Sequence, residues 1–456
     1  MHLNFRTPLF LLEFLLVRTI CCDAFTFLKS EVSTRVSSSS SKQSTQLFSK
    51  GFGKPPKGDE GKKIPLRGAE AAAALPAERR ANLFQSLLRD LQIEGVPLLE
   101  CDAASVETYQ AACWTTLAEM SDDDEPSKNC LVMEKIPMSA LMSFADDFAT
   151  LKLQPRLMEY LPELNRFSIQ VLGKGVGPAL VFEASARTDD EKAEKDQRMG
   201  IESKTSEENA TAALKSFVRR MVIAESACPY TKNEDIAPVG LEAKGVNPSN
   251  IGYRYGGSSD AAHAMAMFWT CICELQSFPQ SEISTIVLSL PCIGAGVSND
   301  SHTRFASVVE LISRSLCMFR GDAMFGLVHF HPSYDRDAIF PSDKPAYGHL
   351  PPRDWLRPML RLSGNDEAAN NLTAEQLALS DYQRRSPHTA INILRTTQIA
   401  AAAGAKSIVD LQLDDSTTVK ASGITTYSRN AIRLAEIGKP ELDAAVHREV
   451  EMTWSK

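Results

Sequence analysis

The chain lacks an excess of basic residues and has little continuous apolar sequence. Lys and Arg number 49 against 57 Asp and Glu among 456 residues, which gives a formal net charge of −8. An acidic balance of this kind provides no electrostatic footprint for nucleic acid. The one long apolar run, residues 8–17, is shorter than a membrane-spanning helix requires. We therefore expect neither a nucleic-acid-binding protein nor an integral membrane protein.

The cysteine spacings of a disulfide framework or a zinc site are also lacking. None of the ten cysteines belongs to a Cys-x-x-Cys pair, and Cys21 and Cys22 fall in a segment that we expect to be removed. The others are scattered, mostly in apolar runs, where a free thiol behaves as a small hydrophobic group. These eight are Cys101, Cys113, Cys130, Cys228, Cys271, Cys273, Cys292 and Cys317. Which cofactor, if any, the protein uses is unknown from the sequence.

Two familiar catalytic or phosphate-binding motifs are missing as well. Without a Gly-x-Ser-x-Gly motif, the chain is a poor fit to a serine hydrolase with a nucleophile elbow. The glycine-rich residues 173–177 join two strand-like runs, so we interpret them as a hairpin turn, because a phosphate loop should open a helix. Residues 256–260, Gly-Gly-Ser-Ser-Asp, precede a long helix and are expected to cap it; an anion cradle is the alternative.

The N-terminus has the composition of a targeting segment. His2 and Arg6 precede an apolar stretch of signal-peptide length, and residues 25–58 are rich in Ser with one acid, Glu31. Together with Phe25 after an Ala, this resembles the bipartite plastid presequence of diatoms and related algae. The resemblance implies a signal peptide at 1–24, a transit peptide or linker at 25–63, and a location in the plastid stroma. A secreted protein with a Ser-rich linker is the alternative.

The mature chain is long enough for two domains, at 71–187 and 210–403. In the first, the pattern predicts helices at 83–91 and 106–120 and strands at 130–133, 167–172 and 179–182, with 96–99 as an edge strand because of its proline. The polar residues 188–209 are interpreted as a charged linker. Residues 404–456 are a tail with one surface helix near 431–450.

The sequence pattern of the second domain predicts a strand–helix–strand crossover. Helices are expected at 214–227, 261–278 and 305–318, strands at 286–290 and 325–330, and a last helix after Ser386-Pro387, where Ser suits a cap and Pro the first turn. A strand, a helix and a strand in this order are typical of a parallel crossover unit. The fold class is therefore α/β, with α+β as the alternative, in two layered domains.

Three short motifs carry the reactive side chains. The first is Cys228-Pro229-Tyr230 at the end of a helix, where the helix dipole disfavours a thiolate. Activation of Cys228 would need Lys232, His331 or an arginine. A structural thiol beside a helix-stopping proline is the alternative.

The second motif places His331 directly after a strand and before Pro332. Functional groups collect at the carboxyl ends of strands in parallel α/β folds, and the imidazole pKa suits general acid–base catalysis. His329 and His331 also form His-x-His, but no carboxylate follows at a ligand spacing, so we predict no metal. A histidine that bonds a carbonyl at the strand end is the alternative.

The third motif is Arg384-Arg385-Ser386-Pro387-His388. If a helix begins here, free amides, the helix dipole and two guanidiniums would together favour an anion. The alternative is a capped helix with exposed arginines.

In these motifs the chain resembles the bacterial family Domain of Unknown Function 1415, over about residues 214–402. The shared residues are Cys228, Pro229, Tyr230, Phe330, His331, Pro332, Tyr334, Arg385, Ser386, Pro387, Leu394 and Arg395. The resemblance implies a pocket to which Tyr230, Tyr334, His388 and Arg395 contribute, and nothing about the substrate. Two departures are a His at 329 and about 40 extra residues near 339–382, which we interpret as a lid.

The leading hypothesis is an enzyme that acts on a small anionic metabolite, such as a phosphorylated one. Cys228 would be the nucleophile and His331 the general acid or base, while Arg384, Arg385, Ser386 and Lys232 bind the anion. The alternative is a non-catalytic module that binds an anion or metabolite, or regulates a partner. Protein partners and oligomeric state are not readable from the sequence.

Overall fold

Helices and strands alternate along the described part of the protein. The computed structural model describes residues 96–172, 178–296, 299–339, 348–403 and 408–455, with isolated positions 82, 86 and 89. All of them belong to one compact unit, Arg67–Lys456. The proposed presequence and the glycine-rich residues 173–177 lie outside the described residues, as does the helix predicted at 83–91, apart from helical positions 86 and 89.

The described strands form three sheets. They are β1 (Leu98–Glu100), β2 (Ser127–Val132), β3 (Phe167–Leu172), β4 (Ala179–Ala184), β5 (Ile236–Ala237), β6 (Ser249–Tyr255), β7 (Ile283–Ser289), β8 (Phe325–Phe330), β9 (Ala390–Arg395), β10 (Val409–Gln412) and β11 (Thr418–Ala421). The strand orders are β1-β2-β4-β3, β5-β6-β7-β9-β8 and β10-β11. Only the β1–β2 and β6–β7 pairs are parallel among these ladders.

The helices connect and cover these sheets. They are α1 (Val106–Asp122), α2 (Met138–Lys152), α3 (Pro155–Tyr160), α4 (Asp189–Glu202), α5 (Glu207–Phe217), α6 (Ala261–Ser277), α7 (Asn299–Met318), α8 (Arg336–Ile339), α9 (Leu356–Leu362), α10 (Asp366–Asn371), α11 (Ala374–Ala378), α12 (Thr396–Ala403), α13 (Ile424–Ile437) and α14 (Lys439–Trp454). Helix α5 continues as a π-helical turn, Val218–Ala224. The mixed α/β class is confirmed. None of the helices in the described residues is long and apolar enough to cross a membrane.

The predicted strands of the four-stranded sheet are confirmed. β1 lies at the edge of its sheet, as expected for a run that follows Pro97. β4 lies between β2 and β3, and five of its six residues are buried, whereas in β3 the exposed Ser168 and Gln170 alternate with less exposed neighbours as far as Val171. The alternation predicted β3 because successive side chains on a strand point to opposite faces.

The crossover from β7 through α7 to β8 is also present, with one difference. β7 and β8 run in the same direction, but β9 lies between them and is antiparallel to both. The helix predicted after Ser386 is therefore wrong, because residues Ala390–Arg395 form a strand and the helix begins only at Thr396. Ile391 and Ile393 are fully buried, and pairing on both sides outweighs the local helix-start signal.

The predicted charged linker is a helix for most of its length. Thr188 caps α4 through a capping box with Glu191, and Ser206 caps α5. No α4 side chain is buried. A helix that is polar all round carries no apolar periodicity, so the linker interpretation missed it; caps and ion pairs stabilise it instead.

One apolar core extends across the predicted domain boundary. Trp114 of α1 and Trp269 of α6 belong to the same buried cluster, together with Phe182 of β4 and Ile286 of β7. Burial of each such side chain contributes roughly 1.5–3 kcal/mol. The four-stranded and five-stranded sheets are therefore joined by a shared α1–α6 layer.

The residues near 339–382 and the C-terminal tail form a second, smaller core. Trp355 and Met359 pack against Leu411 and Ala421 of the β10–β11 hairpin. The tail carries two helices, α13 and α14, rather than one, because the chain breaks at Gly438, whose φ is +82°.

Candidate functional site

A small pocket lies at the end of the five-stranded sheet where β7 and β8 end and β9 begins. It is partly open, and the volume that a water-sized molecule can occupy in it is about 20 Å³, which is room for about one water. The lining residues are Pro291, Gly294, Ala295, Gly296, Pro332, Pro387, His388, Thr389, Val450 and Trp454. The second and third sequence motifs therefore meet at this pocket, and the lid predicted near 339–382 contributes none of these lining residues.

His331 is fully buried, and both of its ring nitrogens are engaged by the backbone. Nε2 lies 3.0 Å from the carbonyl oxygen of Gly294, and the Ser333 N–H donates to Nδ1 at 3.0 Å. Nδ1 therefore accepts and Nε2 carries the proton. Burial lowers the His331 pKa to about 4, although the Gly294 carbonyl partly opposes this. The ring stays neutral near pH 7 and has no nitrogen left for proton transfer, which favours the alternative of a histidine that bonds a carbonyl.

The carbonyl that His331 binds belongs to a glycine that cannot be replaced without strain. Gly294 has a φ of +61°, and a Cβ there would lie 2.2 Å from the carbonyl oxygen of Ser301. The loop after β7 thus depends on glycine both for its dihedral and for its close approach to α7.

Further histidines lie in this region, and of these His302 and His329 are buried. The His302 ring stacks on the His331 ring at 4.8 Å, and the His329 and His349 rings lie 4.7 Å apart. His349 Nδ1 lies 3.0 Å from the Tyr334 hydroxyl, which also accepts from the Leu350 N–H. Burial lowers the pKa of His302 to about 3, with His331 and an arginine adding to the shift. Across the described ranges, no group of three or more His, Cys, Asp or Glu could hold a metal ion.

Arg384 and Arg385 precede a strand, not a helix, yet both guanidiniums are held in place. The Arg385 guanidinium stacks over the Tyr382 ring at 4.2 Å, and its Nε donates to the Tyr334 carbonyl at 3.1 Å. The Arg384 guanidinium lies 5.3 Å from the Phe330 ring centroid. Both side chains are half-buried. Considering only described residues, neither guanidinium forms an ion pair.

Arg385 interacts electrostatically with the Asp443 carboxylate, but that carboxylate already has two other hydrogen-bond partners. It accepts from the Tyr382 hydroxyl and, at 2.5 Å, from Lys439. Arg385 contributes to lowering the pKa of Asp443 only as a weaker charge effect. The Arg385 side chain is also hydrogen-bonded to Tyr382, so the described residues use part of its donors, none of them through an ion pair.

Ser386 does not cap a helix. It is fully buried, and its hydroxyl donates to the carbonyl of His388 in the tight turn before β9. The predicted helix N-terminus at this motif is therefore wrong, and in this arrangement the Ser386 hydroxyl is used within the turn. Anion binding by Ser386 stays a prediction, and the arginines are the remaining candidates in this motif.

His388 pairs with a serine that no motif indicated. Ser289 Oγ lies 2.6 Å from His388 Nε2, and His388 Nδ1 lies 2.9 Å from Thr453 Oγ1. The Thr453 hydroxyl donates to the Glu449 carbonyl, so Nδ1 carries the proton and Nε2 accepts from Ser289. Serine, histidine and threonine lie on three distant segments, and no spacing in the sequence could have linked them.

The hydrogen-bonded residues Ser289, His388 and Thr453 resemble a nucleophile–base pair in geometry but not in electrostatics. Burial lowers the pKa of His388 to about 3, and its second nitrogen bonds a hydroxyl, not a carboxylate. A catalytic imidazole needs an anionic partner or a solvated surrounding to become charged. The Ser289–His388–Thr453 hydrogen bonds therefore link β7, the turn before β9, and α14.

The first motif does not join this arrangement. The Cys228 thiol is partly exposed, and both His331 nitrogens are already used by Gly294 and Ser333, so no Cys228–His331 pair forms. The Tyr230 hydroxyl donates to the Ala402 carbonyl of α12 at 2.8 Å, and Lys232 is exposed.

Arg395 is the last residue of β9, at the opposite end of that strand from the pocket. Its Nη2 donates to the carbonyls of Leu275 and Phe278 at 2.5 and 2.7 Å, which ties down the end of α6. Its contribution is structural, and it lies outside the pocket.

No family model, curated protein or solved structure matches this chain. The resemblance to Domain of Unknown Function 1415 and the plastid presequence stay predictions.

Proposed function

We propose that the protein binds a small anionic molecule without catalysing its conversion, through Arg384 and Arg385, which come just before the pocket residue Pro387 in the chain. The observation that carries this proposal is a pair of half-buried guanidiniums, each stacked on an aromatic ring, with no carboxylate partner among the described residues. A guanidinium is well suited to recognise carboxylate and phosphate groups, so two adjacent ones without an ion pair support an external anion.

The stacking orients these arginines for recognition. A guanidinium held over an aromatic ring keeps its N–H edge free, and less side-chain entropy is lost when an anion binds. Arg385 Nε is bonded to the Tyr334 carbonyl and the side chain is also hydrogen-bonded to Tyr382, so only the remaining terminal N–H groups are left for an anion. N–H groups of this kind donate charge-assisted hydrogen bonds to phosphate or carboxylate oxygens.

The binding module is favoured over the enzyme hypothesis by the histidines. The nitrogens of His331 and His388 are fully used within the protein, and both rings stay neutral near pH 7. An enzyme built on Cys228 and His331 would require a rearrangement that breaks two backbone hydrogen bonds.

Isothermal titration calorimetry with inorganic phosphate and a panel of phosphorylated metabolites tests the proposal. We expect Arg385→Ala to weaken binding by about tenfold or more, because a charge-assisted hydrogen bond contributes about 1.5–3 kcal/mol. Arg361→Ala is the matched control, since Arg361 is exposed at the end of α9. Equal affinities for wild type and Arg385→Ala would contradict the proposal, and turnover of a bound compound would favour the enzyme instead.

A further inference from the structure

His302 is a buried imidazole for which the fold provides no hydrogen-bond partner. It is the fourth residue of α7, and only 3% of it is exposed. Among the residues that the structure describes, neither ring nitrogen of His302 is hydrogen-bonded, whereas His331 and His388 use both of theirs. Nearly all buried polar groups in native proteins have a partner, so an unpaired one needs a reason, and a functional role is one.

Ring stacking fixes the orientation of His302. Its ring stacks on the His331 ring, with 4.8 Å between the centroids and 20° between the planes, and its centroid lies 5.7 Å from that of the Tyr334 ring. An imidazole forms its hydrogen bonds in the plane of the ring, through Nδ1 and Nε2. The packing therefore holds the ring in place and leaves its nitrogen-bearing edge for polar contacts.

Tyr334 connects His302 to the arginine of the proposed anion site. The Tyr334 ring packs against His302, while the Tyr334 carbonyl accepts from Arg385 Nε at 3.1 Å. The two side chains also interact electrostatically. Burial lowers the pKa of His302 to about 3, and the charges of His331 and Arg385 add to this decrease. The imidazole and the guanidinium thus flank the same residue.

A neutral imidazole beside Arg385 is suited to an oxyanion. Because the ring is neutral near pH 7, one nitrogen carries a proton and donates it in a hydrogen bond, as a phosphate or carboxylate oxygen requires. His302 also lies in the first turn of α7, where the positive end of the helix dipole favours an anion and disfavours a charged imidazole. The guanidinium and the imidazole therefore favour the same class of ligand.

We propose that His302 is a second binding residue of the Arg385 anion site and donates a hydrogen bond to the phosphate or carboxylate group that Arg385 binds. This inference rests on the proposed function. The anion then connects the first turn of α7 with the arginine motif before β9. No motif indicated His302, because its neighbours His331, Tyr334 and Arg385 lie on segments distant in the sequence.

Titration calorimetry with inorganic phosphate, combined with urea denaturation, tests this inference. His302→Phe keeps a flat ring to stack on His331 but removes both nitrogens. We expect phosphate affinity to fall about tenfold, which corresponds to about 1.4 kcal/mol. The urea midpoint should stay equal or rise, because the variant removes an unpaired buried polar group. His302→Gln, which keeps an N–H donor, should recover part of the lost affinity.

His447→Phe is the matched control, because His447 is exposed on α14. Equal phosphate affinities for wild type and His302→Phe would overturn the inference, and the proposed function stands in that case if Arg385→Ala still weakens binding. Weaker binding in His302→Phe with a lower urea midpoint and no recovery in His302→Gln would overturn it too, since His302 is then structural. Absence of phosphate and acetate binding in wild type would overturn both proposals.

Discussion

At the scale of single residues, the structure changes the meaning of the reactive groups. His331 was expected as a general acid or base, yet its nitrogens hold the β7 loop and the turn after β8 together. The strand-end position was visible in the sequence because β8 is a strong apolar run before Pro332. The hydrogen-bond partners were not, because Gly294 is distant in the sequence and has no side chain.

Loss of the His331 imidazole should therefore cost stability. His331→Ala leaves the Gly294 carbonyl and the Ser333 N–H without their partner and opens a cavity, so we expect a loss of about 2–4 kcal/mol in unfolding free energy. Urea denaturation measures this, with His447→Ala as a control, since His447 is exposed on α14. A His331→Ala variant with wild-type stability would contradict the structural role.

At the scale of elements, the predictions were confirmed where a local sequence pattern determines the structure. They were wrong where strand pairing with distant segments, or polar contacts alone, determine it. β3, β7 and β8 have apolar runs or alternation that a strand requires, and the sequence predicted them. Ser386-Pro387 is a local helix-start signal and predicts a helix where the structure has β9, because the strand conformation comes from pairing with β7 and β8, which are distant in sequence. Helix α4 was missed because it has no apolar face.

The loop after β7 provides a matched pair of glycines. Both Gly294 and Gly296 have positive φ, but a Cβ at 294 would lie 2.2 Å from the Ser301 carbonyl oxygen, and one at 296 would meet nothing within 4 Å. We expect Gly296→Ala to cost about 1–3 kcal/mol from the dihedral alone, and Gly294→Ala to cost clearly more. Thermal or urea unfolding decides this, and equal losses would contradict the close approach of this loop to α7.

At the scale of the whole molecule, the shared α1–α6 core joins parts of the chain that composition alone separated. The charged residues 188–209 looked like a boundary because no apolar periodicity crosses them. The pairing of Trp114 with the α6 cluster is a long-range contact, which a reading of local patterns does not reveal.

The buried histidines predict that stability falls in mild acid. Burial lowers the pKa of His302, His331 and His388 from 6.5 to about 3, 4 and 3, so the unfolded chain binds more protons than the folded one below pH 6.5. Each histidine stabilises the fold above pH 6.5, and that contribution falls by up to about 1.4 kcal/mol per pH unit as pH decreases towards 4. Asp381, whose pKa burial raises to about 6, acts in the opposite sense.

Urea midpoints measured between pH 7 and pH 5 test this balance, because three histidines outweigh one carboxyl. We expect the midpoint to fall with pH, and His388→Gln to show a smaller fall than wild type. A midpoint that is constant or rises towards pH 5 would contradict the assignment of these rings as buried and neutral.

The most direct test of the central claim is the phosphate affinity of the Arg384→Ala/Arg385→Ala variant against that of wild type and Arg361→Ala, by calorimetry at low ionic strength. Binding that is lost in the double variant and kept in the control, with equal unfolding midpoints, is the result we predict. Phosphate binding that survives loss of both guanidiniums, or its absence in wild type across the anion panel, would contradict the anion site.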